Sequence, residues 1–511
     1  MDPASVIKEQ AIIKAGKREW LGLAVLALPT LLVSMDMTVM YLVVPAISES
    51  LRPGSAELLW ITDIYGFLEA GLLITMGTAG DRIGRRRLLF IGGTAFALAS
   101  VLTAYSTTVA MLIVARAVLG MAGASLLPST LSLIRNLFHD HKQRTQALGI
   151  FTTTFSAGIM IGPLIGGVLV NHFGWGSVFL IAVPVMGLFL LLAPFLLPEF
   201  KDPVAGRFDI LSAALSIVAV LSGIYGIKRL AEHGIDSLSF LFIPAGIITA
   251  ILFYQRQKKI SDPLIDLRLL HDKAFTTTLL CMFIALFCWA GLFLFISQEL
   301  QLVIGLDAFH AGLWSIFGAA GSVISCSLVP LLTGHIHRIY LLVAGLLIMA
   351  MGMLIMYAMA SQSFRLPLLI TSLVLLSSGC GIAVTLGHDI VMGRANPRQA
   401  GSAASLTETC TTFGGALGIA LLGSIGTAIY RGRIGNALSG DLSSSIIESA
   451  QTTLGGALVT AEKLSSPIQT QLVNSAHSAF GHSFSTVAGI SALLTIGMAV
   501  IVLFRMKKSG V

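Results

Sequence analysis

The chain has 511 residues, of which 55% are apolar and 11% are Asp, Glu, Lys or Arg, with a formal net charge of +7. Soluble domains carry about 25% charged residues, so this chain has too little polar side chain to cover a soluble core. A mean hydropathy of +0.88 excludes a disordered chain too, and the basic excess is then no sign of a nucleic-acid partner.

The apolar runs are about 20 residues long, as helices crossing a bilayer require, and not the ten-residue alternating segments of a barrel. In chain order they fall at 20–44, 58–79, 88–105, 109–133, 146–170, 177–197, 209–227, 237–254, 274–297, 309–332, 339–359, 366–389, 400–429 and 484–504. This predicts an all-α polytopic membrane protein with fourteen transmembrane helices. The first run is too long for the apolar region of a cleaved signal peptide and is expected to stay as helix 1. An even count places both termini on one side. With that side cytoplasmic, the inner segments hold 24 of the 32 Lys and Arg residues. The positive-inside rule therefore sets the orientation, and anionic lipid accounts for the basic excess.

Two segments are not spans. Residues 255–273 form a basic inner linker, and 430–483 form an outer loop expected to fold as a helical hairpin lying on the outer face. The two ends of the chain echo each other: GTAGDRIGRRR at 77–87, Arg116 with Gly120, and GIMIGPLIGG at 158–167 are followed by LTGHIHR at 332–338, Gly379 with Gly381, and GGALG at 414–418. Such repeats are a transporter signature. The expected organisation is a cytoplasmic N-terminus (1–19), a six-helix bundle (20–200), a two-helix insert (201–260) and a second six-helix bundle (261–511) that includes the outer loop.

An ionisable group at membrane depth costs at least about 2.5–3.5 kcal/mol, so each is a functional candidate. Asp36 lies about 12 Å below the outer end of helix 1, near the midplane, where a buried carboxyl can become a proton carrier. Asp63 and Glu69 on helix 2 are six residues apart, about 120° around the helix, and cannot both point directly into one cavity. Asp63 is near the outer end; Glu69 is deeper, with Tyr65 one turn away to hold it. Glu408 lies on a face of small and hydroxylic residues, Ala404, Ser405, Thr411 and Thr412. Facing each other across the halves, Asp36 and Glu408 would bind either protons or an organic cation. Arg116 is expected to pair with a carboxylate. Trp60, Tyr65 and Trp314 could stack on a flat cation, although Trp60, near a span end, also suits the interface.

The loop glycines Gly77, Gly80 and Gly84 permit a tight turn, Asp81 can cap helix 3 or meet a neighbouring helix end, and Arg82 and Arg85 anchor at the surface. Gly158, Gly162 and Gly166 share one helical face, with Pro163 kinking it, and make a seam that can seal one side. The five cysteines lie in apolar runs without a disulfide or zinc pattern, the histidines are largely in loops, and no metal site is expected. No P-loop is present, so the chain has no ATP engine of that kind.

GTAGDRIGRRRLL resembles the loop 2–3 signature of the major facilitator superfamily, AGIMIGPLIGG its helix-5 antiporter motif, and MDMTVMYLVVP the helix-1 motif of its fourteen-span drug:proton antiporter branch. WITDIYGF and the Glu408 segment resemble the QacA/SmvA type within that branch. The resemblance implies the major facilitator fold and a bacterial inner-membrane exporter that needs a proton gradient and no cofactor. Its substrates would be hydrophobic cations such as quaternary ammonium compounds, biguanides, methyl viologen and cationic dyes. It implies Asp36 as the protonation residue, Asp63 in cation recognition, Glu408 in substrate or proton coupling, Arg116 in proton coupling, and Asp81, Arg82 and Arg85 in the gate. Residues 309–332 hold no acid where some dication exporters carry one; Ser315 and Ser322 are the nearest polar candidates.

The expected activity is proton-coupled export of these cations by alternating access, in a monomer that is not an enzyme. The alternative is a metabolite uniporter or importer on the same fold, which would need several Arg, Asn or Gln at midspan. A sensor or lipid-modifying enzyme would need an effector domain or a nucleophile with its base. Dye efflux with and without a proton uncoupler separates these readings, and Asp36→Asn is expected to abolish coupled efflux; full activity in that variant would remove Asp36 from the mechanism.

Overall fold

The computed structural model describes residues 14–51, 53, 55–201, 209–233, 237–260, 264, 267, 269–306, 308–359, 365–395, 400–437, 450–451, 454–462, 464 and 466–506. Long helices follow one another as the apolar runs require: α1 (Lys17–Leu51), α2 (Ser55–Ile83), α3 (Arg85–Ala104), α4 (Val109–Leu137), α5 (His141–Phe173), α6 (Ser177–Leu196, broken by a turn at Ile181), α7 (Ile210–His233), α8 (Ser237–Gln257), α9 (Lys273–Gln298), α10 (Ala308–Leu332), α11 (Arg338–Ala358), α12 (Arg365–Arg394), α13 (Ala400–Ala437) and α14 (Ser466–Met506). No strand occurs among the described residues. In hydrocarbon every backbone N–H and C=O must be satisfied within its own segment, which leaves helices as the solution for runs of this length. Among the described residues, eleven are long and apolar enough to cross a membrane on length and composition alone. The others are α2 and the insert pair α7 and α8.

Side-chain caps start several helices. Thr108 accepts from Met111 N at the head of α4, Asp140 from Gln143 N at α5, and Asp272 from Ala274 N and Phe275 N at α9. Close packing then depends on small residues. Gly158 and Gly162 of α5 lie against α1, where a Cβ at Gly158 would come within 2.7 Å of the Leu31 carbonyl and one at Gly162 within 2.6 Å of Thr38 Oγ1. The second half repeats this: Gly414 and Gly418 of α13 lie against the carbonyls of Phe283 and Phe287 on α9. With no hydrophobic drive between helices in lipid, van der Waals fit at such seams holds them together. The insert helices pack on each other, and α7 lies against α2 and α13, with Thr75 and Ser216 hydroxyls 3.5 Å apart.

The long segment between α13 and α14 corrects the expectation. α13 runs on to Ala437 and α14 begins at Ser466, so much of 430–483 continues the spans instead of forming a hairpin lying flat. Continuing a helix keeps its backbone satisfied without a new nucleus. A short helix, Leu454–Ala461, packs on α14, and Tyr430 Oη donates to the Ala450 carbonyl at 3.0 Å. Residues 438–449, with Ile446 and Ile447 of the expected periodicity, lie outside the described residues.

Gly120 of α4 sits directly on the Tyr65 carbonyl of α2, with the Tyr65 carbonyl carbon and Cα each 3.0 Å from any added Cβ. Backbone cannot yield as a flexible side chain can. Gly120→Ala is therefore expected to destabilise the protein by about 1–3 kcal/mol, read as a lower thermal midpoint in detergent.

Candidate functional site

Four ionisable side chains meet at mid-depth. Arg116 of α4 is 1% exposed, and its Nη1 donates to Asp36 Oδ2 of α1 at 2.6 Å. Its Nε reaches the Ile61 carbonyl at 3.5 Å, and its guanidinium carbon lies 4.8 Å from the Tyr65 ring centroid. Arg116 is thus paired as expected, and with Asp36. Beyond Asp36 lies a cavity of about 20 Å³ between α1, α3 and α6, lined by Phe96, Ser100 and Phe179 among others. That volume is enough for a single water.

Glu69 of α2 is 1% exposed, and neither of its carboxyl oxygens has a hydrogen-bond partner. It is nevertheless in electrostatic range of Asp36, Arg116 and Glu408. Tyr65 does not hold it: the Tyr65 hydroxyl has no hydrogen-bond partner either, and both groups face the open surface of Gly123, 3.0 and 3.4 Å from where its Cβ would be. The ring is committed to the Arg116 guanidinium instead.

Glu408 of α13 is buried, and its Oε1 lies 3.4 Å from His388 Nε2 of α12. Asp36 thus meets Arg116 within the first half and Glu408 lies beside His388 within the second. Glu69 stands in electrostatic contact with both.

Other candidates fall elsewhere. Trp60 is 43% exposed and stacks at 6.5 Å on Tyr225 of the insert, and Trp314 is half-buried against Phe317, 5.6 Å away on the same helix. These contacts turn both tryptophans toward neighbours other than the acids. Ser322 meets Ser156 of α5 at 3.2 Å, and Ser315 donates to the Ala311 carbonyl. Asp63 is on α2, but its side chain, like that of Pro163, lies outside the described residues.

The end of the bundle that carries the α2–α3 turn is closed. Asp81 is ion-paired to Arg85, and both press on Gly401 at the first turn of α13. A carboxylate there opposes the positive end of the helix dipole. Gly77 lies against Ser405 and the Gly401 carbonyl, and Gly80 against the Arg85 guanidinium. Arg82 ends α2. Gly84 has φ +113°, a conformation only glycine adopts without strain. Asp81 does not cap α3. Glu199, three residues beyond α6, does so by accepting from Arg86 N at 3.1 Å. Arg135 donates to the Met392 carbonyl at 2.7 Å, Thr145 to Asp389 Oδ1 at 2.8 Å and Arg338 to Asp389 Oδ2 at 2.9 Å. Gly158, Gly162 and Gly166 are all buried, and the first two pack beside Ser34, Met35 and Thr38, the residues flanking Asp36.

Residues 26–419 match the model of the Major Facilitator Superfamily. The chain belongs to this superfamily. It is 39% identical to the multidrug efflux pump LfrA of Mycolicibacterium smegmatis over 95% of this chain and 96% of that protein. It is 32% identical to the methyl viologen resistance protein SmvA of Salmonella typhimurium, over 94% and 98%. Among solved structures it is similar in fold to the human organic anion transporter MFSD10, with a TM-score of 0.60 at 15% identity, covering 93% of this chain and 99% of that one. It is a multi-pass protein of the bacterial inner membrane and a transporter, not an enzyme.

Sequence reasoning missed His388, Glu199 and the knot at Asp389. The signal for His388 was present: a histidine beside an acid inside the apolar run 366–389. The pairing of Arg116 generates a test. Arg116→Ala strands a buried carboxylate and is expected to cost about 3–5 kcal/mol. Adding Asp36→Asn removes that charge, and thermal unfolding in detergent should show much of the loss recovered.

Proposed function

We propose that this superfamily member exports hydrophobic organic cations, the quaternary ammonium, biguanide, viologen and cationic dye class, in exchange for protons. The observation that carries the reading is Glu69: a carboxyl buried at mid-depth without a hydrogen-bond partner, within electrostatic range of two further acids and one arginine. Arg116 offsets Asp36, and the centre can then hold up to two uncompensated negative charges on Glu69 and Glu408. Two protons or a cation can neutralise them, and neither is comfortable with the other. That exclusion is what antiport requires.

The names of the relatives, a multidrug efflux pump and a methyl viologen resistance protein, support a drug-export role. The basic end of the bundle is the cytoplasmic one by the positive-inside rule, so both termini are cytoplasmic and the conformation described is shut toward the cytoplasm. Asp81 with Arg85, Gly77 with Ser405, and the Asp389 knot form that gate. Opening it breaks these contacts, and rocking of one half on the other closes the opposite end. The α1–α5 seam beside Asp36 is where the state of that carboxyl can be felt by the packing. Moving one elementary charge through 100 mV is worth about 2.3 kcal/mol; a dication exchanged for two protons avoids that term, and a monocation exchanged for two protons gains from it.

In proteoliposomes, Glu69→Gln is expected to reduce proton-driven tetraphenylphosphonium transport to about a tenth or less of wild type, while substrate-for-substrate exchange persists. Proton-driven transport at the wild-type rate would overturn the role given to Glu69, and wild-type transport indifferent to an uncoupler would overturn antiport itself.

A further inference from the structure

His388 belongs to no motif singled out in the sequence. It lies on α12 inside a span, 3% exposed, and neither ring nitrogen has a hydrogen-bond partner. A neutral imidazole carries one donor and one acceptor, and leaving both unmet in a buried place is costly. The neighbour that can meet the donor is Glu408, whose Oε1 is 3.4 Å from Nε2. On its other side the ring meets the edge of Phe151, on α5 of the first half, with centroids 5.7 Å apart. The next residue, Asp389, is fully buried and accepts from Thr145 of α5 and from Arg338, with Arg144 of α5 at 3.9 Å. His388 thus stands where the acidic centre, the opposite half and the cytoplasmic gate come together.

We propose that His388 and Glu408 form one proton-binding unit, and that His388 is the positioning residue through which Glu408 is coupled to the gate. This rests on the antiport reading above and adds to it how the proton at Glu408 is held, by a histidine that the reading did not use. With imidazole neutral and the carboxylate ionised, the unit carries one negative charge. Taking up a proton from water makes it neutral overall, as an imidazolium held against a carboxylate in a charge-assisted bond that needs a shorter separation than 3.4 Å. Losing that proton to water on the other side restores the negative charge and the looser pair. The charged groups around the unit are Glu69 of α2, in electrostatic range of Glu408, Asp389 on the same helix, and Arg144 of α5 and Arg338 of α11, both engaged with Asp389. Glu69 adds a negative charge on one side of the unit, and on the other the two arginines share the single carboxylate of Asp389, which offsets one of their two charges. Tightening or loosening the pair shifts α12 against α13 one residue away from the anchor of the gate, and Phe151 presents that shift to the other half. Two linked groups that share a proton titrate as a pair, not as separate residues.

The test uses the purified full-length protein in weakly buffered detergent, with tetraphenylphosphonium as the probe and an indicator dye to count protons released on binding. His388→Gln and, separately, Glu408→Gln are each expected to release about one proton fewer than wild type, and the double variant no fewer than either single one. The pH dependence of tetraphenylphosphonium affinity should lose one titration step in all three. Additive losses in the double variant, or an unchanged count and pH profile in His388→Gln, would overturn the unit while leaving the antiport reading in place. A wild-type protein that releases no protons would remove both. Infrared difference spectra of the wild type read the same event without a substitution: probe binding should change imidazole ring bands, and spectra without them overturn the proposal even where a variant does not fold.

Discussion

Among the described residues, one guanidinium serves the three carboxyls of the acidic centre, and most of the site's character follows from that shortage. A buried charge is tolerated only with a partner of opposite sign and good hydrogen bonds. Arg116 meets Asp36 at 2.6 Å and is spent on it, with the Tyr65 ring below. Glu69 is left with no hydrogen-bond partner and Glu408 with a histidine at 3.4 Å. A centre built in this way is at ease only when something positive arrives. Had a second arginine stood beside Glu69, the site would be a structural ion-pair network with no reason to exchange anything.

The same helices carry the acids and the contacts that shut the basic end. α2 holds Glu69 and, about two turns on, Gly77, with Asp81 one turn further. α13 holds Glu408, with Ser405 about one turn and Gly401 about two turns before it. α12 places His388 beside Asp389. These are rigid rods at about 1.5 Å per residue, so about 12 Å along α2 separates Glu69 from Gly77 and about 10 Å along α13 separates Glu408 from Gly401, with no hinge required between them. The glycine contacts allow little gradual slippage: Gly77 on Ser405, Gly401 on the Arg85 guanidinium and Gly149 on Pro330 are either seated or apart. Packed interfaces of this sort have discrete arrangements. On the antiport reading, neutralising an acid biases which arrangement is held.

The architecture was legible because lipid imposes it. Runs of about 20 apolar residues, an even count and the bias of Lys and Arg together left few ways to thread the chain, and the small-residue seams at Gly158, Gly162, Gly414 and Gly418 showed as spacing. The segment 430–483 was not legible, since helix extending into water has the same polar composition as a surface hairpin. At the site, scarcity pointed to Asp36, Glu69, Arg116 and Glu408. Which acid the arginine takes depends on how α1 and α4 are rotated, and no periodicity reports that. His388 went unseen because histidine is ordinary in loops, and its meaning here comes from α13 laying Glu408 beside it. Glu199 caps α3 from more than a hundred residues away, a partnership that local sequence could not suggest.

On the antiport reading, the arrangement would also bear on which cations suit it. With Asp36 offset by Arg116, the charge left to balance would lie on Glu69 and Glu408, from opposite halves, and that proposed pairing would favour a cation with delocalised or shielded charge, which surrenders little hydration. A small, strongly hydrated cation would have to give up its water to carboxylates that are few and lack the oxygen-rich cage that alkali or divalent ions need; among the described residues no cluster of three or more His, Cys, Asp or Glu could hold a metal ion. The absence of an acid on α10, where Ser322 is already engaged with Ser156, means that a dication finds its second counter-charge within this same pair of acids. A molecule with two well-separated positive charges must therefore fit both ends to one centre or leave one end among hydroxyls and aromatics, and discrimination among dications falls to the spacing of Glu69 and Glu408.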